Sequence, residues 1–474
     1  MTEPFPREPV PGFSRRPDDA PSVHGQVGEE GETGPSGGTV GVLRNRPFLL
    51  LWLSQAATQI GGNMVVYGLT LLVYALTGSN SAVSVLFLTF LVPGVLFSAL
   101  AGVYVDRLDH RRVLIATNLL RAGAFGLMLL ARDSLPAIYL LNALVSLLTT
   151  FFAPAEAAMI PVLVARRQLV PANGLFTLTL NAAFALGFAL FGPLVVTLAG
   201  PEALIAIVGV LYLLAAVFCF TLPKTPAAAG GLRAGDAVGE VGAALGTTVD
   251  QLREGFAYIR AHPNVVRSLS YLAIGAGLIG ILGVLGPDFA TRNLGLAPKD
   301  FIVVVLPLGL GIVMGVLLLG RVDTEVARRR LVEGGLVSLG ILLVILSAAA
   351  PVTRFLQGVG STTAALVDLS ALVSLLSVVV AIAFLAGVAY AFVLIPAQTQ
   401  LQEDLPEEVR GRVFGILYSL ISAASFLPII LAGPISDQIG GQYVLGLIGC
   451  FLVAVGLLSI RAARRESAPG VRAR

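Results

Sequence analysis

From Pro47 onward the chain alternates between long, almost uncharged apolar runs and short polar stretches. Each run can cross the ~30 Å hydrocarbon core of a bilayer as a helix of about 20 residues. The pattern predicts helices near 47–74, 81–104, 113–131, 135–158, 172–198 and 201–222, then near 267–289, 298–319, 331–350, 367–396, 412–435 and 442–460. Helices packed on a water-soluble core would show a polar face with a period near 3.6, and these runs show none. The expected fold is therefore an all-α integral membrane protein of 12 transmembrane helices in two six-helix halves, residues 44–222 and 267–460.

The flanking and central segments read differently. Residues 1–43 are rich in Pro, Gly, Glu and Ser and lack an apolar run, which predicts a disordered tail. A short polar tail follows at 461–474. The central stretch, 223–266, contains Thr248-x-x-Gln251 ahead of Val249, Leu252, Phe256 and Ile259. That capping pattern and spacing predict a short amphipathic helix, lying on the membrane surface or docked on the protein itself.

Composition narrows the class. Only 12% of the 474 residues are charged, against roughly 25% in soluble domains, which leaves too little polar surface to cover a globule in water. Charge placement then sets the topology. Of the 31 Lys and Arg, Arg132, Arg292, Lys299 and Arg354 fall in loops of one side and Arg121 falls inside a helix. The other 26 gather in the tails, the central stretch and the loops of the opposite side. By the positive-inside rule both termini are cytoplasmic, and the expected location is a bacterial plasma (inner) membrane, multi-pass. Cys219 and Cys450 fall inside apolar runs and are expected to be buried, and His24, His110 and His262 have no neighbour at metal-ligand spacing. No metal and no cofactor are expected. A Gly-x-x-x-x-Gly-Lys-Ser/Thr run is absent from the sequence, so nucleotide-driven pumping has no support.

The two halves resemble one another. Phe152-Ala-Pro154-Ala155-Glu156 matches Leu394-Ile-Pro396-Ala397-Gln398, Gly192-Pro193 matches Gly433-Pro434, and Asp106 with Arg111 and Arg112 matches Asp323 with Arg328 and Arg329. Three matches in order, at equivalent topological positions, indicate a six-plus-six duplication, a common build among membrane carriers.

The second loop reads Gly102-Val-Tyr-Val-Asp106-Arg107-Leu-Asp109-His110-Arg111-Arg112. A glycine permits close helix approach, and a carboxylate at a helix end can engage the exposed N–H groups of a neighbouring helix. At these residues the chain resembles the major facilitator superfamily. Pro154-Ala155, Ile160-Pro161, Ala172-Asn173, and Gln402 to Pro406 with Arg410-Gly411-Arg412-Val413 are similar to its macrolide-efflux and enterobactin-exporter branch. The resemblance covers residues 44–460 and implies a secondary active transporter with a small-molecule substrate, working by alternating access in the lipid bilayer as a monomer. It implies a conformational latch of Gly102, Asp106, Arg107, Arg111, Arg112, Arg121, Asp323, Arg410 and Arg412, closed when the carrier opens outward. For Arg121 a structural place within this latch network is expected ahead of substrate contact. Asp109 is expected to lie in a solvated loop and to matter less.

Gly192-Pro193 resembles the core of a motif typical of exporters that exchange solute for protons, which implies the proton as coupling ion. An ordinary helix kink explains the pair as well. Three departures stand out: Gly62-Asn63 where relatives often carry an Asp after the glycine, Glu156 where they often carry arginine, and His110 in place of a usual basic residue. Ionisable groups are scarce inside the runs; Glu156, Asp288 and Asp437 are expected near helix ends, within reach of water. Asn63, Gln59, Glu156, Asn181 and Gln398 form the expected substrate or proton path. So few charges suit an apolar or amphiphilic solute, and the function implied is drug or metabolite efflux. The alternatives are a same-fold importer or lipid flippase and, from another class, a membrane-embedded enzyme. Against an enzyme stands the lack of a His, Asp and Glu cluster; no nucleic-acid partner is expected.

Overall fold

The computed structural model describes residues 39–225, 260, 262–319, 325–349, 351–354, 374–403, 424 and 426–466. Ten helices among them are long and apolar enough to cross a membrane. One, Arg166–Phe220, has 55 residues, or about 80 Å of helix at 1.5 Å per residue, more than one crossing needs. It breaks at Gly200 (φ 88°), followed by Pro201. With that helix counted as two and the shorter Phe426–Ile439 added, the described residues carry twelve apolar bundle helices, besides short pieces such as Thr39–Leu43, consistent with the expected twelve. The amphipathic helix expected near 248–259 lies outside the described residues.

The segments are α1 (Arg46–Thr77), α2 (Asn80–Val105), α3 (His110–Leu130), α4 (Leu135–Leu163), α5 (Leu169–Phe184, extended by a π-helical Ala185–Phe191 and on to Gly200) and α6 (201–220). There follow α7 (Pro263–Asp288), α8 (Ile302–Leu319), α9 (Glu325–Ser347), α10 (Leu375–Glu403), α11 (Phe426–Ile439) and α12 (Gly441–Glu466).

Local chemistry sets the helix ends. Asn45 accepts from the Phe48 N–H ahead of Pro47, and α1 stops at Gly78, whose left-handed φ of 63° favours glycine. Ser79 caps α2 through the Ala82 N–H, and Asp109 caps α3 through the Arg111 N–H. The π-helical turn of α5 directly precedes Pro193. Proline has no N–H and its ring clashes with the carbonyl four residues back, so the preceding turn widens.

Packing runs mainly within α1–α6 and within α7–α12. The pairs α2–α4, α3–α4 and α3–α6 have counterparts in α8–α10, α9–α10 and α9–α12. A polar tie follows the same scheme. Cys219 of α6 lies 3.3 Å from Ser54 of α1 and 3.9 Å from Asn118 of α3. Ser459 of α12 lies 2.7 Å from Tyr271 of α7 and 2.9 Å from Glu333 of α9. Outward-facing positions are apolar, among them Leu130, Leu140, Leu198 and Leu447, as a lipid-facing surface requires. Cys450 is exposed on this surface rather than buried, and only Cys219 is internal.

Candidate functional site

Between the two sets of helices lies a cavity of about 420 Å³. Its polar wall comes from the first set. On α1, Gln59 and Asn63 sit one turn apart, and the Asn63 amide donates to the Gln59 carbonyl at 2.8 Å. On α4, Phe152 and Glu156 are also one turn apart and share a face. Arg121 of α3 closes the group. The described lining from α7 and α11 is apolar: Ala276, Ile279, Gly280, Gly283 and Ile429.

Arg121 is 1% exposed, yet its charge is well served. Its Nε donates to the Thr117 carbonyl (3.3 Å), Nη1 to Thr149 Oγ1 (3.3 Å) and Nη2 to Asn118 Oδ1 (2.7 Å). The guanidinium lies 4.3 Å from the centre of the Phe152 ring and 4.6 Å from that of Tyr212, a cation–π sandwich that strengthens as water is excluded. Its donors go to these neutral partners rather than to Glu156. Glu156 is 7% exposed, and its Oε1 is buried without a hydrogen-bond partner. Both residues line the same cavity. The cavity thus has a buried cation, an under-satisfied carboxyl, a few amide and hydroxyl groups and otherwise apolar walls, a surface for amphiphilic solutes.

Several expected residues meet here and others do not. Gln59, Asn63 and Glu156 line the same cavity. Arg121, expected within the loop network, lines the cavity instead, because its position on α3 turns it toward α4 and α6. Glu156 and Asp288, expected near water, are both buried. Asn181 lies on α5 with its side chain outside those described, and Gln398 lies on α10, apart from the residues that line the cavity. The further aromatic lining residues Phe184, Phe188 and Tyr212 carry no motif. Their only signal was an aromatic residue inside an apolar run.

The second loop, with Arg107, Arg111 and Arg112, marks the basic end of the bundle. Asp106 ends α2 with its own N–H bonded to the Gly102 carbonyl, and its side chain is exposed. No described atom lies within 4 Å of a Cβ built on Gly102. Arg111 donates to the Phe220 carbonyl, and Arg112 pairs with Asp109 at 3.6 Å. Arg107 is half-buried on the same loop. Asp109 is no solvated bystander: besides capping α3 it accepts from Thr225 N (3.3 Å) and Oγ1 (3.1 Å), bolting the start of the central stretch to this loop. Asp323, Arg410 and Arg412 lie outside the described residues. Gly192 packs against Tyr67 of α1, where an added Cβ would come within 3.2 Å of the Tyr67 Cβ; Pro193 follows it in α5.

A bundle of bilayer-length apolar helices with a cavity walled from both sets is the build of a membrane solute transporter. Residues 51–427 match the family model of the Major Facilitator Superfamily, and the chain belongs to that superfamily. It is 23% identical to the MFS-type transporter YfiS of Bacillus subtilis over 88% of this chain and 94% of that one. Macrolide efflux protein A of Streptococcus pyogenes is 24% identical (87% and 94% covered). The multidrug efflux pump Tap of Mycolicibacterium fortuitum is 23% identical (87% and 95% covered). Among solved structures, the nucleoside transporter NupG superposes with a TM-score of 0.62 at 12% identity, covering 88% of this chain and 98% of that one. That likeness concerns the fold.

Proposed function

We propose that this transporter exports small apolar or amphiphilic molecules from a bacterial cell in exchange for protons, by alternating access between its two six-helix halves. The observation that carries this reading is the cavity: shared by both halves, mostly apolar, with Arg121 and Glu156 at one pole. Apolar walls take the bulk of an amphiphile, and a few polar groups orient it. The relatives named as macrolide and multidrug efflux proteins support the direction and the solute class. The basic end and both termini face the cytoplasm in this reading, and a single chain suffices as the working unit. Its role is translocation rather than catalysis.

Glu156 is the proposed proton carrier. An under-satisfied carboxyl in an apolar cavity takes a proton when the cavity faces the acidic outside and gives it up when the cavity faces the cytoplasm and Arg121 is its nearest cation. The exposed Asp106 at the basic end fits a state in which the proposed cytoplasmic latch is released. The test is efflux of a lipophilic cationic dye from cells lacking their own exporters, and from vesicles with an imposed pH gradient. Wild type should lower dye accumulation in a gradient-dependent way, and Glu156→Gln should abolish the dependence while the protein remains monodisperse. Gradient-driven efflux at the wild-type rate in Glu156→Gln would overturn the assignment. Dye accumulation above that of control cells would indicate an importer instead.

A further inference from the structure

At the end of the bundle opposite the basic loop, Ser79 caps α2 ahead of Asn80 and Ser81, and Ser436 and Asp437 lie in the last turn of α11. Four hydrogen bonds converge on the one carboxylate. Asp437 Oδ2 accepts from Ser79 Oγ (2.7 Å), Ser81 N (2.9 Å) and Ser81 Oγ (2.6 Å), and Oδ1 accepts from Asn80 N (2.9 Å). Beneath them Asn80 Nδ2 donates to Ser436 Oγ (2.9 Å), and Ser84 Oγ donates to the Ile429 carbonyl (2.8 Å). All six bonds join a helix of the first half to a helix of the second. A carboxylate facing free N–H groups at the start of a helix also meets the positive end of its dipole.

Two features mark this contact as a releasable one. Helix α2 is already capped from within by Ser79, whose Oγ accepts from the Ala82 N–H, so its start does not need Asp437 in order to form. Three of the four carboxylate bonds are exposed, so on separation water replaces the lost partners and the net cost per bond stays small. The contact also lacks a twin. The Gly192/Gly433 repeat aligns Asp437 with Val196 of α5, a buried apolar residue. A lesser tie lies alongside: the buried Asp288 of α7 accepts from Tyr74 Oη of α1 (2.9 Å) and pairs with Arg292 (2.8 Å).

We infer that Asp437 is a positioning residue of the transport cycle: by capping α2 from α11 it holds the far end shut, and its release lets the cavity face that side. This rests on the alternating-access reading but not on the solute, the coupling ion or the direction of transport. The experiment measures distance, so failed dye efflux leaves its outcome legible. Nitroxides at Ser134 and Ser374, at the far end on opposite halves, report opening by pulsed dipolar spectroscopy in the full chain with Cys450 replaced by serine. Asp437→Asn should raise the ratio of long to short distances roughly tenfold, equivalent to about 1.4 kcal/mol. Asp437→Glu should stay closer to wild type, and Ser81→Ala should shift the ratio the same way by less. Glu202→Gln removes a carboxylate at the same end whose partner Arg132 lies in its own half, and it should leave the distribution unchanged. An unaltered distribution in Asp437→Asn, or an equal shift in Glu202→Gln, would overturn the inference. If Asp437→Asn is not monodisperse, Ser81→Ala decides: a shift supports the latch and none refutes it.

Discussion

Gly433 of α11 abuts Asn80 and Ser84 of α2, and one methyl group there tests whether this crossing has to open. A Cβ at 433 would stand 2.4 Å from Ser84 Oγ and 2.5 Å from the Asn80 carbonyl oxygen. Ordinary contact distances are about 3.5 Å, so Gly433→Ala forces α2 and α11 apart by up to roughly 1 Å. The Asn80 oxygen is backbone and cannot rotate away, and the Ser84 hydroxyl is held on the Ile429 carbonyl. Overpacking of this kind costs about 1–3 kcal/mol. If only the closed far end bears that cost, the population ratio moves toward the open form by about 5–150-fold. The assay is alkylation of a cysteine placed at the cavity residue Asn63, using a membrane-impermeant maleimide added on the far side. The rate should rise by that factor in Gly433→Ala, with the protein still monodisperse. An unchanged rate would refute the reasoning, because the crossing would then have absorbed the methyl without opening.

Two further outcomes follow from contacts within one half. At the α8–α10 crossing a Cβ on Gly311 would lie 2.0 Å from the Phe384 carbonyl oxygen; Gly311→Ala should therefore lower the melting temperature in detergent, by about 1–3 kcal/mol of overpacking, and leave Asn63 alkylation unaltered. Asp109→Ala removes the cap of α3 and both bonds to Thr225. It should cost about 1 kcal/mol in thermal unfolding and speed proteolytic cutting just after Thr225; protection equal to wild type would show that the loop does not hold the central stretch.

The sequence by itself determined the membrane class, the order and approximate ends of the helices, and the superfamily. Those are local properties. The length of an apolar run, a Gly-Pro boundary and the Asp106–Arg112 loop can each be read without knowing what lies opposite. Gln59, Asn63 and Glu156 were also legible, because a polar group in an apolar run is costly and stands out. The facing of each helix was not. In water one face is polar and a period of 3.6 reveals it; in a bilayer the lipid-facing and protein-facing sides are both apolar, so that period disappears. Rotation about the α3 axis therefore decided that Arg121 meets Phe152 and Tyr212 rather than the basic loop. The same holds for Asp437, which looked like a residue at a wet helix end. Its partners Asn80 and Ser81 lie more than 350 positions earlier in the chain, and only the docking of α11 against α2 puts a carboxylate over that helix start.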